Sequence, residues 1–177
     1  MRLSPALTRS LFTCLVIPTS AACLVALGPA ALAAPQAQSV AAEVVSRTNA
    51  ERAKTGCPAL KAESRLTQAA QAHTEGMAAR GVLDHNSPEG SPGDRIKAAG
   101  YRASAWAENI ASGQSSASTV VDGWMHSAGH RANILNCSLR DIGVGFAKGR
   151  NGTPYWTQDF GTSSGQSSNQ SPGRARR

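Results

Sequence analysis

The sequence lacks an internal repeat, a strand–helix–strand rhythm and any clustered stripe of basic residues, and each absence narrows its reading. Helical and strand patterns are mixed without the alternation of a doubly wound parallel sheet, which predicts an α+β fold. The formal charge of +7 invites a nucleic-acid partner. Its distribution argues otherwise. Arg2 and Arg9 lie near the start and Arg174, Arg176 and Arg177 at the end, so between Pro35 and Ser164 thirteen basic residues face eleven acidic ones. A segment so nearly balanced does not track a phosphate backbone, and no nucleic acid is expected. An unbroken apolar run is also missing. Leu11 to Leu32 is apolar but interrupted by Pro18, Gly28 and Pro29, whereas a membrane-spanning helix needs about 20 predominantly apolar residues.

What is present at the start is the pattern of an export signal. Two early arginines precede the apolar stretch, Ala31-Leu32-Ala33 supplies small residues for cleavage, and polar Gln36 and Gln38 follow. Residues 1–33 are therefore expected to be a removable signal peptide, leaving no membrane span and a secreted product, extracellular or associated with the cell wall. A lipoprotein reading through Cys23 lacks the usual leucine three residues earlier. Cleavage would discard Cys14 and Cys23. The remaining pair, Cys57 and Cys137, is expected to form a disulfide in an oxidising compartment, worth about 4 kcal/mol in the chain-entropy treatment. The sharper alternative is a catalytic cysteine, but Gly56-Cys57-Pro58 after a helix suits a staple better. The expected division is a short linker at 34–38, one domain at 39–161, and a disordered basic tail at 162–177, rich in Ser, Gly, Gln and Asn.

Within the domain, Ser39 to Thr55 reads as a helix capped by Ser39 and stopped at Gly56 and Pro58. Ser64 to Arg80 reads as a second, whose apolar stripe of Leu66, Ala69, Ala70 and Met77 includes His73 and marks it as a core histidine. Pro92 to Ala99 makes a short helix, and Ser118 is expected to cap another carrying Val120, Val121, Trp124 and Met125. Three strands are expected. In Ala105 to Ala111, Trp106, Glu108 and Ile110 share the side assigned to the interior. In Asp141 to Ala147, Ile142, Val144 and Phe146 alternate with Gly143 and Gly145, giving one bulky and one bare face. Asn151-Gly152 signals a hairpin turn into Tyr155 to Phe160.

Three polar residues occupy places where a bland residue would serve a fold better. His85 lies in a turn-rich segment with no core demand. Glu108 falls on an interior side, where a lone carboxylate needs hydrogen-bond or charged partners. His130 follows Gly129, which permits close backbone approach. Two imidazoles and a carboxylate suit either a divalent metal with an open position or proton transfer. His126 and His130 are four apart, but Gly129 interrupts the helix between them, and His126 is expected to be exposed.

The segments Asp84-His-Asn-Ser-Pro-Glu-Gly, Ala107-Glu-Asn-Ile-Ala, Trp124-Met-His-Ser-Ala-Gly-His-Arg-Ala-Asn-Ile-Leu and Asp141-Ile-Gly-Val-Gly-Phe, in that order, resemble the CAP superfamily of cysteine-rich secretory, antigen 5 and pathogenesis-related proteins. The similarity is to its short secreted bacterial branch, of the actinobacterial type. It covers nearly the whole domain, from Asn49-Ala-Glu-Arg to Trp156-Thr-Gln-Asp-Phe. The resemblance implies an α-β-α sandwich with a small central antiparallel sheet and a cleft carrying two histidines and two glutamates. His85, Glu108 and His130 match three of these. The fourth falls on Ser127, which removes a charge and a candidate ligand. Ala107 replaces the usual glycine and His126 an expected asparagine.

Two functions follow as expectations. One is a non-catalytic binding module whose cleft, with His85, Glu108, His130 and Ser127, holds a divalent cation such as zinc between His85 and His130, or a small, lipid-like or protein ligand. The other is a metal-assisted hydrolase of extracellular peptide or cell-wall material, with Glu108 or a histidine as acid and base. Ser127 lacks a nucleophile elbow and is expected to cap a helix or to hydrogen-bond within the cleft.

Overall fold

The computed structural model describes residues 30–165. The expected signal peptide up to Pro29 and the tail beyond Gly165 lie outside the described residues. Helices and strands follow in the order α1 (Ala30–Lys54), β1 (Lys61–Ala62), α2 (Ser64–Arg80), α3 (Pro92–Ala98), β2 (Ala103–Ser112), α4 (Ala117–His126), α5 (Ala128–Ile134), β3 (Asp141–Lys148) and β4 (Pro154–Ser163). The strands form one sheet in the order β1-β3-β4-β2. The pairs β3–β4 and β2–β4 are antiparallel, while β1 runs parallel to β3. The fold is α+β, with helices on both faces of the sheet.

The residue pattern explains the two layers. On one face Ile142, Val144, Trp156 and Phe160 pack with Val44 of α1 and with Val120, Val121 and Trp124 of α4 in the largest apolar cluster. On the other, the bare side of β3 receives α2. A Cβ added at Gly143 would collide with the backbone of Leu66 and Thr67, and one at Gly145 with the carbonyl of Ala70. The alternation of bulky residues and glycine is thus a helix seat cut into one face of the sheet. Leu66, Ala69, Ala70, His73 and Met77 are the buried stripe of α2, as the spacing predicts.

Several boundaries differ from the sequence reading. Ser39 is inside α1 rather than at its cap, because the alanine-rich residues before it continue the helix. Residues 34–38, expected as a linker, belong to that helix as well, and Thr162 and Ser163, assigned to the tail, belong to β4. The cap of α4 is Ser116, in a reciprocal capping box with Thr119, and not Ser118. The sheet has a fourth strand, the two-residue β1, too short to leave a periodic signal. Trp106 shares a side with Glu108 and Ile110 yet is 48% exposed, on an edge strand where the first turn of α3 lies against its ring.

Cys57 and Cys137 form a disulfide across 80 residues. Beside it the fully buried guanidinium of Arg52 donates to the carbonyls of Pro58, Ile134, Asn136 and Leu139. Together they tie the end of α1 to the loop that follows α5.

Candidate functional site

Glu108 is the centre of the site. It projects from β2 with its side chain only 2% exposed, and both carboxylate oxygens are engaged. Arg95 of α3 donates from Nη2 to Oε2 at 2.6 Å. His85 contacts Oε1 through Nδ1 at 2.8 Å, so Nδ1 carries the proton and Nε2 the lone pair of the neutral ring. Arg95 also donates from Nη1 to the carbonyls of His85 and Gly90, which fixes the loop that presents the imidazole. The capping box of Ser91 and Asp94, with Pro92 at the first turn, sets the start of α3 and hence the position of Arg95. His85 remains half-exposed, its side chain at 49%.

Behind this group lies Asp159 of β4, directly opposite Glu108 in the antiparallel register. It is fully buried, and neither of its oxygens accepts a hydrogen bond from the described residues. Burial above all, and then the Glu108 charge, push its carboxyl well above the ordinary carboxylate range. A neutral Asp159 can donate its proton toward Glu108, whereas two carboxylates there could only repel. Among the described residues His73 of α2 is also buried without a hydrogen-bond partner for either ring nitrogen, and burial depresses its pKa despite the Glu108 charge.

The second histidine, His130, lies on α5 in the opposite layer. A polar chain crosses the sheet to place it. Gln158 donates to Thr48 of α1, Asn109 donates to Gln158 and to the carbonyl of His130, and Asn133 donates to Asn109 and to the carbonyl of Glu108. These bonds bind α5 to the edge of β2. Burial first, and then the His85 charge, lowers the pKa of His130.

An open cleft of about 520 Å³ runs along this edge, with His85, Trp106, Glu108 and Asn133 among its lining. Neither His130 nor Ser127 lines that cavity. Ser127 falls at the junction where α4 ends and α5 begins, and its side chain makes no capping hydrogen bond. The same junction breaks the helix between His126 and His130, and His126 is exposed beside Asp122. Among the described residues, no group of three or more His, Cys, Asp and Glu side chains is arranged to hold a metal ion. Glu108 cannot ligate a cation without leaving Arg95 or His85, and its bond to Nδ1 fixes the orientation of the His85 imidazole.

Sequence reasoning missed Arg95, Asn109, Asn133 and Asp159. Arg95 and Asn133 sit on seven-residue helices, too short to show which side faces inward. Asp159 carried a usable signal, since it alternates with Gln158 in a strand flanked by Trp156 and Phe160.

A family model described as the cysteine-rich secretory protein family, CAP, matches residues 45–160. The protein YkwD of Bacillus subtilis (strain 168) is 42% identical over 119 residues, covering 67% of this chain and 45% of its own length. A solved extracellular protein of Bacillus anthracis str. Ames containing an SCP domain is 28% identical with a TM-score of 0.66, over 71% of this chain and 41% of that one. An outer surface protein of Borrelia burgdorferi shares the fold at 21% identity, TM-score 0.64, covering 68% of this chain and 90% of that one. The chain spans under half the length of YkwD. Among the described residues, no helix is long and apolar enough to cross a membrane.

Proposed function

Because the chain belongs to the cysteine-rich secretory protein family through residues 45–160, we propose that it is a secreted, non-catalytic binding module whose cleft at the edge of β2 takes a divalent cation or a small ligand. The observation that carries this reading is the engagement of both Glu108 oxygens, one by Arg95 and one by His85. A general acid or base must reach its substrate proton, and a carboxylate held on both sides is instead a support for the imidazole in front of it. His85, through Nε2, and His130 would hold the cation. When bound, it would polarise a ligand oxygen at a position that the protein leaves open. Zinc suits two neutral imidazoles, and the lowered pKa of His130 favours the neutral ring. The extracellular relative from Bacillus anthracis supports secretion, and the ligand itself would be a small molecule, a lipid or an extracellular protein.

Zinc titrated calorimetrically into the mature protein at pH 7 is expected to give a saturable heat that disappears when His85→Ala and His130→Ala are combined. Unchanged zinc binding by the double variant would refute the cation site. Peptide, ester and peptidoglycan substrates are expected to show no turnover above a heat-inactivated control. Turnover abolished by chelator would refute the non-catalytic reading.

A further inference from the structure

We propose that the cleft takes a sugar ring of a neutral or N-acetylated glycan, stacked on the exposed indole of Trp106. The proposal deepens the reading of the cleft as a ligand site and rests on it. Trp106 is 48% exposed while Trp124 and Trp156 are buried. The indole is not a loose surface side chain. A Cβ at Gly93 would come within 3.0 Å of its Cε2, so the first turn of α3 lies against the ring and holds it as a fixed plate. Around the cavity that it lines stand His85, Asn86 and Asn133, whose imidazole Nε2, side-chain amide and amide Oδ1, respectively, are able to meet sugar hydroxyls.

Other occupants fit less well. A lipid chain needs an enclosed apolar channel, and beside the indole this open cleft offers only Pro92 and Ala107 as apolar walls. An extended peptide would pair with the outer edge of β2, but the carbonyls of Glu108 and Ile110 already accept from Asn133 and from the indole of Trp124. A flat ring with polarised C–H bonds on one face and hydroxyls at its rim matches a negative π-face bordered by hydrogen-bonding groups. The same geometry favours binding over cleavage. Glycoside hydrolysis calls for two carboxyl groups about 5 to 9.5 Å apart across the scissile bond. Among the described residues, Glu108 is the only carboxylate lining this cavity, and its two oxygens are taken.

The test uses chitotetraose with the mature protein. Saturable binding is expected, read by calorimetry and by a change in tryptophan emission, which comes from Trp106 because the other two indoles are buried. Trp106→Ala is expected to weaken binding about tenfold or more, and Trp106→Phe to retain most of it. Circular dichroism should show both variants folded, since the side chain is half outside. Zinc binding by Trp106→Ala should match the wild type. Absence of saturable binding to the wild type, or equal binding by Trp106→Ala, would overturn the proposal. So would palmitate binding that depends on Trp106 without any sugar binding. A zinc response that survives a failed sugar titration would overturn the glycan assignment and leave the cleft reading standing, whereas loss of both would remove the cleft reading itself.

Discussion

Glu108, Arg95 and Asp159 form a buried group in which the charges balance only if Asp159 is neutral. Removing one partner of a buried ion pair typically costs about 3–5 kcal/mol, and Arg95→Met is expected to fall in that range by urea unfolding, because it strands the Glu108 carboxylate. Asp159 predicts an effect of opposite sign. Its folded pKa is raised, so between the ordinary aspartate value and the folded one the native state holds a proton that the unfolded state has released. Stability is therefore full below the unfolded pKa and declines as pH rises toward the folded one. Asp159→Asn abolishes that decline. The variant should be more stable than the wild type at pH 7, with the difference shrinking toward about pH 3.5, below the ordinary aspartate value. A variant less stable at pH 7 would mean that Asp159 is ionised and paired with Arg95. At this scale the sequence was informative about Glu108, whose place among large strand residues demanded partners, and silent about which partners. Arg95 lies 13 positions away on a separate element, and no local spacing connects the two.

The contact between α2 and β3 depends on two missing side chains. Gly143→Ala should destabilise by about 1–3 kcal/mol or more through overpacking, since the obstruction is the α2 backbone and not a flexible side-chain end. Gly123→Ala, where nothing lies within 4 Å, is the control and should be neutral or slightly stabilising; equal melting temperatures for the two variants would contradict the helix-seat account. The disulfide makes a second element-scale prediction. Its reduction releases a loop closed across 80 residues and should cost about 2–5 kcal/mol in chemical denaturation, with smaller losses indicating that Arg52 alone holds the loop. Elements with a clean period are legible in the sequence: the spacing in α2 marks its buried stripe to the last turn, and the alternation in β3 identifies its two faces. The elements that carry the site are not. α3 and α5 are too short to show a period, and the edge position of β2, which exposes Trp106, is a property of sheet order rather than of sequence.

Over the whole molecule, two layers meet at one sheet edge, with the α3 loop on one side and α5 on the other. The family motifs around His85 and Glu108 lead to the cavity beside β2, whereas the motif around His130 reaches it through Asn133 and not through the imidazole. They gave no sign that the carboxylate would be held by an arginine. The four histidines make the proposed cation site directly measurable. In the ring-nitrogen spectrum of the uniformly nitrogen-15-labelled protein titrated with zinc at pH 7, the account predicts saturable shifts at His85 and His130 together, strongest at Nε2 of His85. The buried His73 and the exposed His126 should remain unmoved. Zinc-dependent shifts confined to His126, or none at any ring, would contradict the claim that this edge of the sheet is the protein's binding site for a cation.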